Sequence, residues 1–232
     1  MKPTKPKAKP KASAKAQPKS KVSVLPTGDL DARRLLERHR CPMGFHAVRA
    51  QFMGAIASPI ERIQPLSEIK ALWGGEFPPF DSMDDVNQLL QVLVMGLWNQ
   101  LSSHTDPDRP FELTRFKGEA TNDMLRAQAQ VRYEELDAFR HGFYQRQSSL
   151  KLSPELAKAC DVIDELISMY QGMRQIPVNP KEKQSERDAF AKTIDSLTEI
   201  LEGEINFIIC TVTQDRAGLS AANPAGPRPT MH

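Results

Sequence analysis

The sequence predicts an all-α protein: a compact multi-helix domain with a long C-terminal helix and disordered termini. Three observations predict it. Apolar residues recur at steps of three and four in one segment after another. Ser, Pro and acidic residues stand where helices begin, and Gly and Pro stand where they end. No stretch of useful length alternates as a half-buried strand does, and there is no internal repeat.

A first short helix is predicted over 29–38, with Leu30, Leu35 and Leu36 as its apolar side and Pro42 limiting any continuation. A second covers 43–57, with Phe45, Val48, Phe52 and Ile56 at steps of three, four and four. Its small residues Ala47, Ala50 and Gly54 form a neighbouring strip that lets another helix approach closely. Ser58, Pro59 and Glu61 then read as a helix start. Pro65 cuts that turn short, and Ser67 caps a second attempt ending at Trp73. Gly74 and Gly75 supply the positive backbone angles with which helices often stop.

After the Pro78-Pro79 loop, Ser82 and Asp85 form a capping-box pair that opens a helix through about 103. No residue after Asp85 in it is charged, so it is expected to be the central buried helix, with a narrow strip of Gln88, Gln91, Asn99 and Ser102. Residues 104–117, with Pro107 and Pro110, read as a connection. A long helix over 120–147 turns Leu125, Ala129, Leu136, Phe139 and Phe143 inward. Ser153-Pro154-Glu155 opens the next, which ends near Gly172, and a linker with Pro177 and Pro180 follows. The last helix covers 182–214. Its Phe190, Ile194, Leu197, Leu201, Ile205, Ile208 and Val212 follow the 3.6-residue repeat of a straight helix, and Ile200 and Ile209 widen the stripe.

Composition divides the chain into a basic arm, residues 1–28, a helical body, 29–215, and a Pro- and Gly-containing tail, 216–232. The arm is Lys, Pro, Ala and Ser, with too little to bury to offset its ordering entropy. Its eight lysines are Lys2, Lys5, Lys7, Lys9, Lys11, Lys15, Lys19 and Lys21, with no acid among them. Without them, 23 basic residues face 29 acidic ones, so the overall +2 conceals a body near −6. No apolar run has the length of a membrane span, and the N-terminus lacks the apolar stretch of a secretory signal. Three widely spaced cysteines do not make a disulfide framework or a four-ligand zinc site, so a reducing cytoplasm is the expected location.

The lysine arm is the strongest functional signal, with Lys5, Lys7, Lys9, Lys11, Lys15, Lys19 and Lys21 as polyanion-binding candidates. Such segments neutralise phosphates and release counterions, giving salt-sensitive, sequence-tolerant binding. No Arg or aromatic residue is interleaved for stacking. The alternatives are a solubilising tail, or one lying on the acidic body. His39, Cys41 and His46 are the one local group of metal-type ligands, but zinc needs three or four in closed geometry, and His104 and His141 are distant in sequence. Asp81, Asp84 and Asp85 read as first-turn acids that complement a helix dipole rather than as a metal site. No nucleophile elbow, phosphate loop or dinucleotide fingerprint occurs. Trp73 and Trp98 are expected to pack in the core, with Trp73, beside the Gly-Gly and Pro-Pro loop, also a candidate for a partner groove.

Several of these features occur together in one known family. Phe52-Met53-Gly54-Ala55-Ile56-Ala57-Ser58-Pro59, then Pro65, Trp73-Gly74-Gly75 and Phe80-Asp81-Ser82-Met83-Asp84-Asp85, are followed by Phe139-Arg140-His141-Gly142-Phe143. Over about residues 50–145 this resembles the YecA/YgfB-like family of poorly characterised bacterial helical proteins. The chain departs from it at Ala50 and Gln51, where an acid and Gly are common, and at Glu68 and Phe139, where Trp is common. It also has no cysteine-rich zinc-binding tail. The resemblance implies an all-helical domain, a homodimer as one form of it, and no catalytic residues to carry over.

The expectation is therefore a non-enzymatic bacterial adaptor or regulatory protein without cofactor. Its body would bind a protein partner, and its arm would keep it near nucleic acid or ribosomal surfaces. The alternatives are a protein-binding module whose tail only solubilises it, and an unrecognised metalloprotein or enzyme.

Overall fold

Helices account for all the regular structure in a computed structural model of the chain, which describes residues 27–60, 63–145, 147–175 and 183–222. In order they are α1 (Thr27–Arg38), α2 (Phe45–Ala57), α3 (Pro65–Ala71) and α4 (Met83–Leu90). The last runs on without a break as a π-helix over Gln91–Trp98, then as α5 (Asn99–Ser102) and a 3-10 turn, Ser103–Thr105. After an extended strap come α6 (Asn122–Tyr144), α7 (Pro154–Met173) and the long α8 (Gln184–Ala222). No strand occurs among the described residues. Residues 1–26 of the arm, Glu61, Pro177, Pro180 and residues 223–232 lie outside the described residues, while Thr27 and Gly28, expected in the arm, form the start of α1.

The centre of the core is α2, not the uncharged helix expected there. Every α2 residue except His46 and Arg49 is buried. Its small residues permit this, because neighbours reach its backbone. A Cβ on Gly54 would stand 2.1 Å from the Phe139 carbonyl oxygen of α6, and one on Gly142 would stand 2.0 Å from that of Gln51. The two helices thus cross on paired glycines with their backbones in contact. Leu125, Ala129, Leu136, Phe139 and Phe143 of α6 are all buried, as their spacing predicted.

The uncharged helix buries a single row, Leu89, Leu93, Leu97 and Leu101, while Met83 and Met95 are 72% and 59% exposed. Lack of charge is not burial; amides and thioethers face water at modest cost. A step of four overshoots an α-helical turn by about 40°, so in pure α geometry this row would wind by about 120°. The wider turn of the π segment unwinds it and keeps the four leucines on the core. The start is as expected: the Ser82 hydroxyl accepts from the Asp85 amide at 3.2 Å.

α1 lies antiparallel along this helix. At one end the Gln100 side chain donates to Asp29 at 3.4 Å. At the other, Arg38 pairs with Asp85 and donates to Gln88 at 2.9 Å. Leu30, expected inside, is 38% exposed, and Ala32 joins Leu35 and Leu36 in the core instead.

Several boundaries differ from expectation. No helix forms at residues 58–60, where the Ser58 hydroxyl caps only the Ile60 amide at 3.4 Å. Pro65 begins α3 rather than ending a turn, because its missing N–H is one a first helical turn leaves unbonded anyway. α3 ends at Ala71, and Gly74 and Gly75 follow with φ of 80° and 110°. α8 passes the expected end at 214 and includes the first residues of the expected tail. There Arg216 donates to the Ile56 carbonyl at 3.0 Å and to that of Ser58, filling acceptors at the end of α2. Ile194, Leu201, Ile205, Ile208, Ile209 and Val212 of α8 are buried, whereas Ile200 faces outward at 51% exposure.

The connection 106–121 is an ordered strap. Asn206 of α8 accepts from the Phe111 amide at 2.7 Å and donates to the Phe111 carbonyl at 2.9 Å, as a neighbouring strand would. One turn earlier Glu202 accepts from the Leu113 amide at 2.8 Å and pairs with Arg115 at 2.6 Å. Phe111 and Leu113 are thereby driven into the core.

Candidate functional site

The metal-type side chains singled out in the sequence do not converge on one site. His39 packs edge-on against Phe80 with ring centres 5.4 Å apart, and His46 turns to α6, 2.6 Å from Glu134. Burial raises the Cys41 thiol above its ordinary value, against the pull of the Met43 backbone. His104 bonds the Arg109 carbonyl at 2.8 Å, and His141 lies 3.6 Å from Asp137 on its own helix. Among the described residues, no group of three His, Cys, Asp or Glu side chains is placed to hold a metal ion.

The Asp81, Asp84 and Asp85 trio divides. Asp81 and Asp84 are exposed, and Asp85 is a cap and an anchor for α1. Desolvation works to raise the Asp85 carboxyl, but the Ser82 hydroxyl and the Arg38 guanidinium outweigh it and hold it below its usual range. Trp73 is half-buried, and its indole N–H donates to the His39 carbonyl at 3.0 Å, fastening the end of α3 to the end of α1. Its polar edge thus serves the chain's own packing. Trp98 leans on Phe52, ring centres 5.4 Å apart.

Two features were not read from the sequence. One is a buried polar cluster tying α6, α8 and the strap. Arg132 and Glu135, 3% and 1% exposed, pair with each other. Glu135 also accepts from the Thr114 amide at 2.9 Å and hydroxyl at 2.6 Å, while Arg132 reaches the Thr114 carbonyl and, at 3.2 Å, Thr198. With every charge met, its chemistry is structural. Charges three apart on a helix are ordinary surface pairs, so only the apolar residues around them signalled burial.

The other is an open cleft of about 670 Å³ between the end of α6 and α7, walled by Arg140, His141, Tyr144, Leu152, Asp161 and Asp164. Arg140 is held by Asp137 at 2.6 Å and Asp164 at 3.5 Å, so the positive charge in the wall is already matched. Behind it Tyr144 hydrogen-bonds Cys160. Burial pushes both groups up, and Asp161 and Asp164 add to the effect. A thiol so placed stays protonated at neutral pH and is a poor nucleophile.

The surface offers more than the clefts. On the outer side of α4 and its π continuation, Met83, Asn87, Gln91, Met95 and Asn99 are exposed and uncharged. This row lies beside the one that carries α1, whose first turn is fastened at Gln100, where the described chain begins. No described helix is long and apolar enough to cross a membrane. Compared with known proteins, the chain matches no family model, no curated protein and no solved structure.

Proposed function

We propose that this protein is a non-enzymatic adaptor for a nucleoprotein surface: its lysine arm neutralises phosphates, and its helical body receives a protein through the uncharged outer row of α4 and the π-helix. The carrying observation is the charge split, eight lysines without an acid ahead of a body near −6. A body of that sign is repelled by phosphate, so a polyanion is met by the arm and not by the helices.

The attachment point of the arm supports a two-part contact. The arm leaves the body at the start of α1, beside Gln100 and next to the row containing Met95. Exposed methionines with amide neighbours suit an adaptable protein contact. Asp85 and His46 are occupied in joining helices, and burial raises the Cys41 and Cys160 thiols, which favours binding over catalysis. The resemblance to YecA/YgfB-like proteins, with no catalytic residues to transfer, agrees, as does a reducing cytoplasm with three free cysteines.

The test compares the full chain with one lacking residues 1–21 for binding to single-stranded RNA by fluorescence anisotropy. If about five lysines engage phosphates, affinity falls about a hundred-fold between 50 and 200 mM salt. Truncation should abolish both the binding and its salt dependence. Equal binding by the two chains would remove the arm from the account. Met95→Lys should leave RNA binding intact while releasing a co-purifying protein.

A further inference from the structure

α8 carries a second stripe, opposite the one it buries. Ser196, Ile200, Gly203, Phe207, Cys210 and Gln214 step by four, three, four, three and four, and none is charged. Ile200 and Phe207 are 51% and 43% exposed, and a Cβ on Gly203 would meet nothing within 4 Å. Acids border it on both sides, Asp195 and Glu199 along one edge and Glu204 and Asp215 along the other. Lys192 is the one base near it. None of these four acids is in an ion pair among the described residues.

An apolar strip between acidic margins fits an apolar segment bearing lysines, and this chain contains one. Lys19, Lys21, Val22, Val24 and Leu25 directly precede α1. The first turn of α1 is fastened to Gln100, and the 3-10 turn after α5 packs against α8. The arm is thus rooted near α8. Twenty-six residues reach at most about 90 Å, and the stripe from Ser196 to Gln214 is about 27 Å long.

We propose that the outer stripe of α8 is the docking site of the chain's own N-terminal arm. Val22, Val24 and Leu25 cover Ile200 and Phe207, and the lysines face the flanking acids. Resting on the adaptor reading for its consequence, this makes polyanion binding and stripe exposure one equilibrium: phosphates that take the lysines uncover α8. Salt acts in the same direction, because the contact is between surface charges.

Cys210, partly buried within the stripe, reports on its cover. Its alkylation rate, read by mass spectrometry separately from Cys41 and Cys160, is compared in the full chain and in one lacking residues 1–26. The full chain should react at least three-fold more slowly at 50 mM salt. That protection should vanish in 1 M salt, on adding poly(U), and in the Glu199→Lys/Glu204→Lys double variant. Equal rates in the long and short chains at low salt would overturn the proposal. Protection that grows with protein concentration would also overturn it, by assigning the arm to a second copy. RNA binding lost on truncation but without effect on Cys210 would leave the adaptor reading standing and this one refuted. Protection of Cys210 without RNA binding would do the reverse.

Discussion

Replacing Gly54 by Ala is an exposed test of how this fold is built, because the usual expectation has the opposite sign. In an open helix position Ala is better than Gly by about 0.5–1 kcal/mol. Here the new Cβ would stand 2.1 Å from the Phe139 carbonyl oxygen and 2.9 Å from the Phe143 nitrogen. A carbon-to-oxygen contact needs about 3.3 Å, so α2 and α6 must separate by roughly 1 Å along their crossing. Both obstacles are main chain, so no rotamer can relieve the overlap. Overpacking of this kind costs about 1–3 kcal/mol and occasionally more. With no escape the net loss should be about 3 kcal/mol, a sizeable share of the roughly 5–15 kcal/mol that holds a domain together. The melting temperature should fall by about 6–12 °C, on the scale for a chain of this size. Urea unfolding followed by far-UV circular dichroism supplies the number. Gly172→Ala is the control: nothing lies within 4 Å of its new Cβ, so it should be neutral or slightly stabilising. Gly142→Ala should cost as much as Gly54→Ala, and the double variant less than their sum, since one separation accommodates both methyls. A Gly54→Ala protein within 0.5 kcal/mol of wild type would mean that the helices do not meet on their backbones.

Two further predictions concern buried or anchored charge. Glu135→Ala strands the Arg132 guanidinium, 3% exposed, and should cost about 3–5 kcal/mol in the same assay. Arg132→Met with Glu135→Leu should recover most of the loss, and a single-variant cost below 1 kcal/mol would show the pair to be dispensable. Asp85 has a depressed folded-state value, so its contribution is present above the ordinary carboxylate value of about 3.9 and is lost as pH falls through the lower folded one. The difference in urea midpoint between wild type and Asp85→Asn should hold from pH 7 to about 5, then close below about pH 4. A difference unchanged down to pH 3 would assign the effect to shape rather than charge.

How much of this was legible depended on whether a residue's neighbours lie close in sequence. Ser82 and Ser153 announce α4 and α7, and their hydroxyls do accept the amides three residues on. The inward row of α6 follows from its spacing. The approach of another helix to Gly54 was readable as a strip of small residues, whereas its partner Gly142, four residues after Ala138 on α6, sits among the larger inward residues Leu136, Phe139 and Phe143 that dominate the pattern. The four-residue spacing of Leu89, Leu93, Leu97 and Leu101 was in plain view. It departs from 3.6 in the direction a π segment corrects, whereas total apolar content pointed only to burial. The strap was beyond reach. Nothing in the spacing of Glu202 and Asn206 distinguishes a surface pair from a ladder for Phe111 and Leu113, some ninety residues earlier. For the candidate sites, Asp85 and Trp73 were recognised as residues that matter, but what they hold is α1, a tertiary neighbour.

These polar attachments bear on where a function can reside. Arg38, Trp73, Arg115, Asn206 and Arg216 each fasten an element to one distant in sequence. Moving any one to receive a ligand would uncover main-chain groups or a charge, which costs about 1–3 kcal/mol per group before binding begins. The outer row around Met95 and the outer stripe of α8 carry no such obligation. Their side chains can be covered and uncovered without loosening a helix, so regulation that exchanges one cover for another leaves the core unstressed. A surface of that kind suits the adaptor proposed above, whose arm would choose between phosphates and its own body.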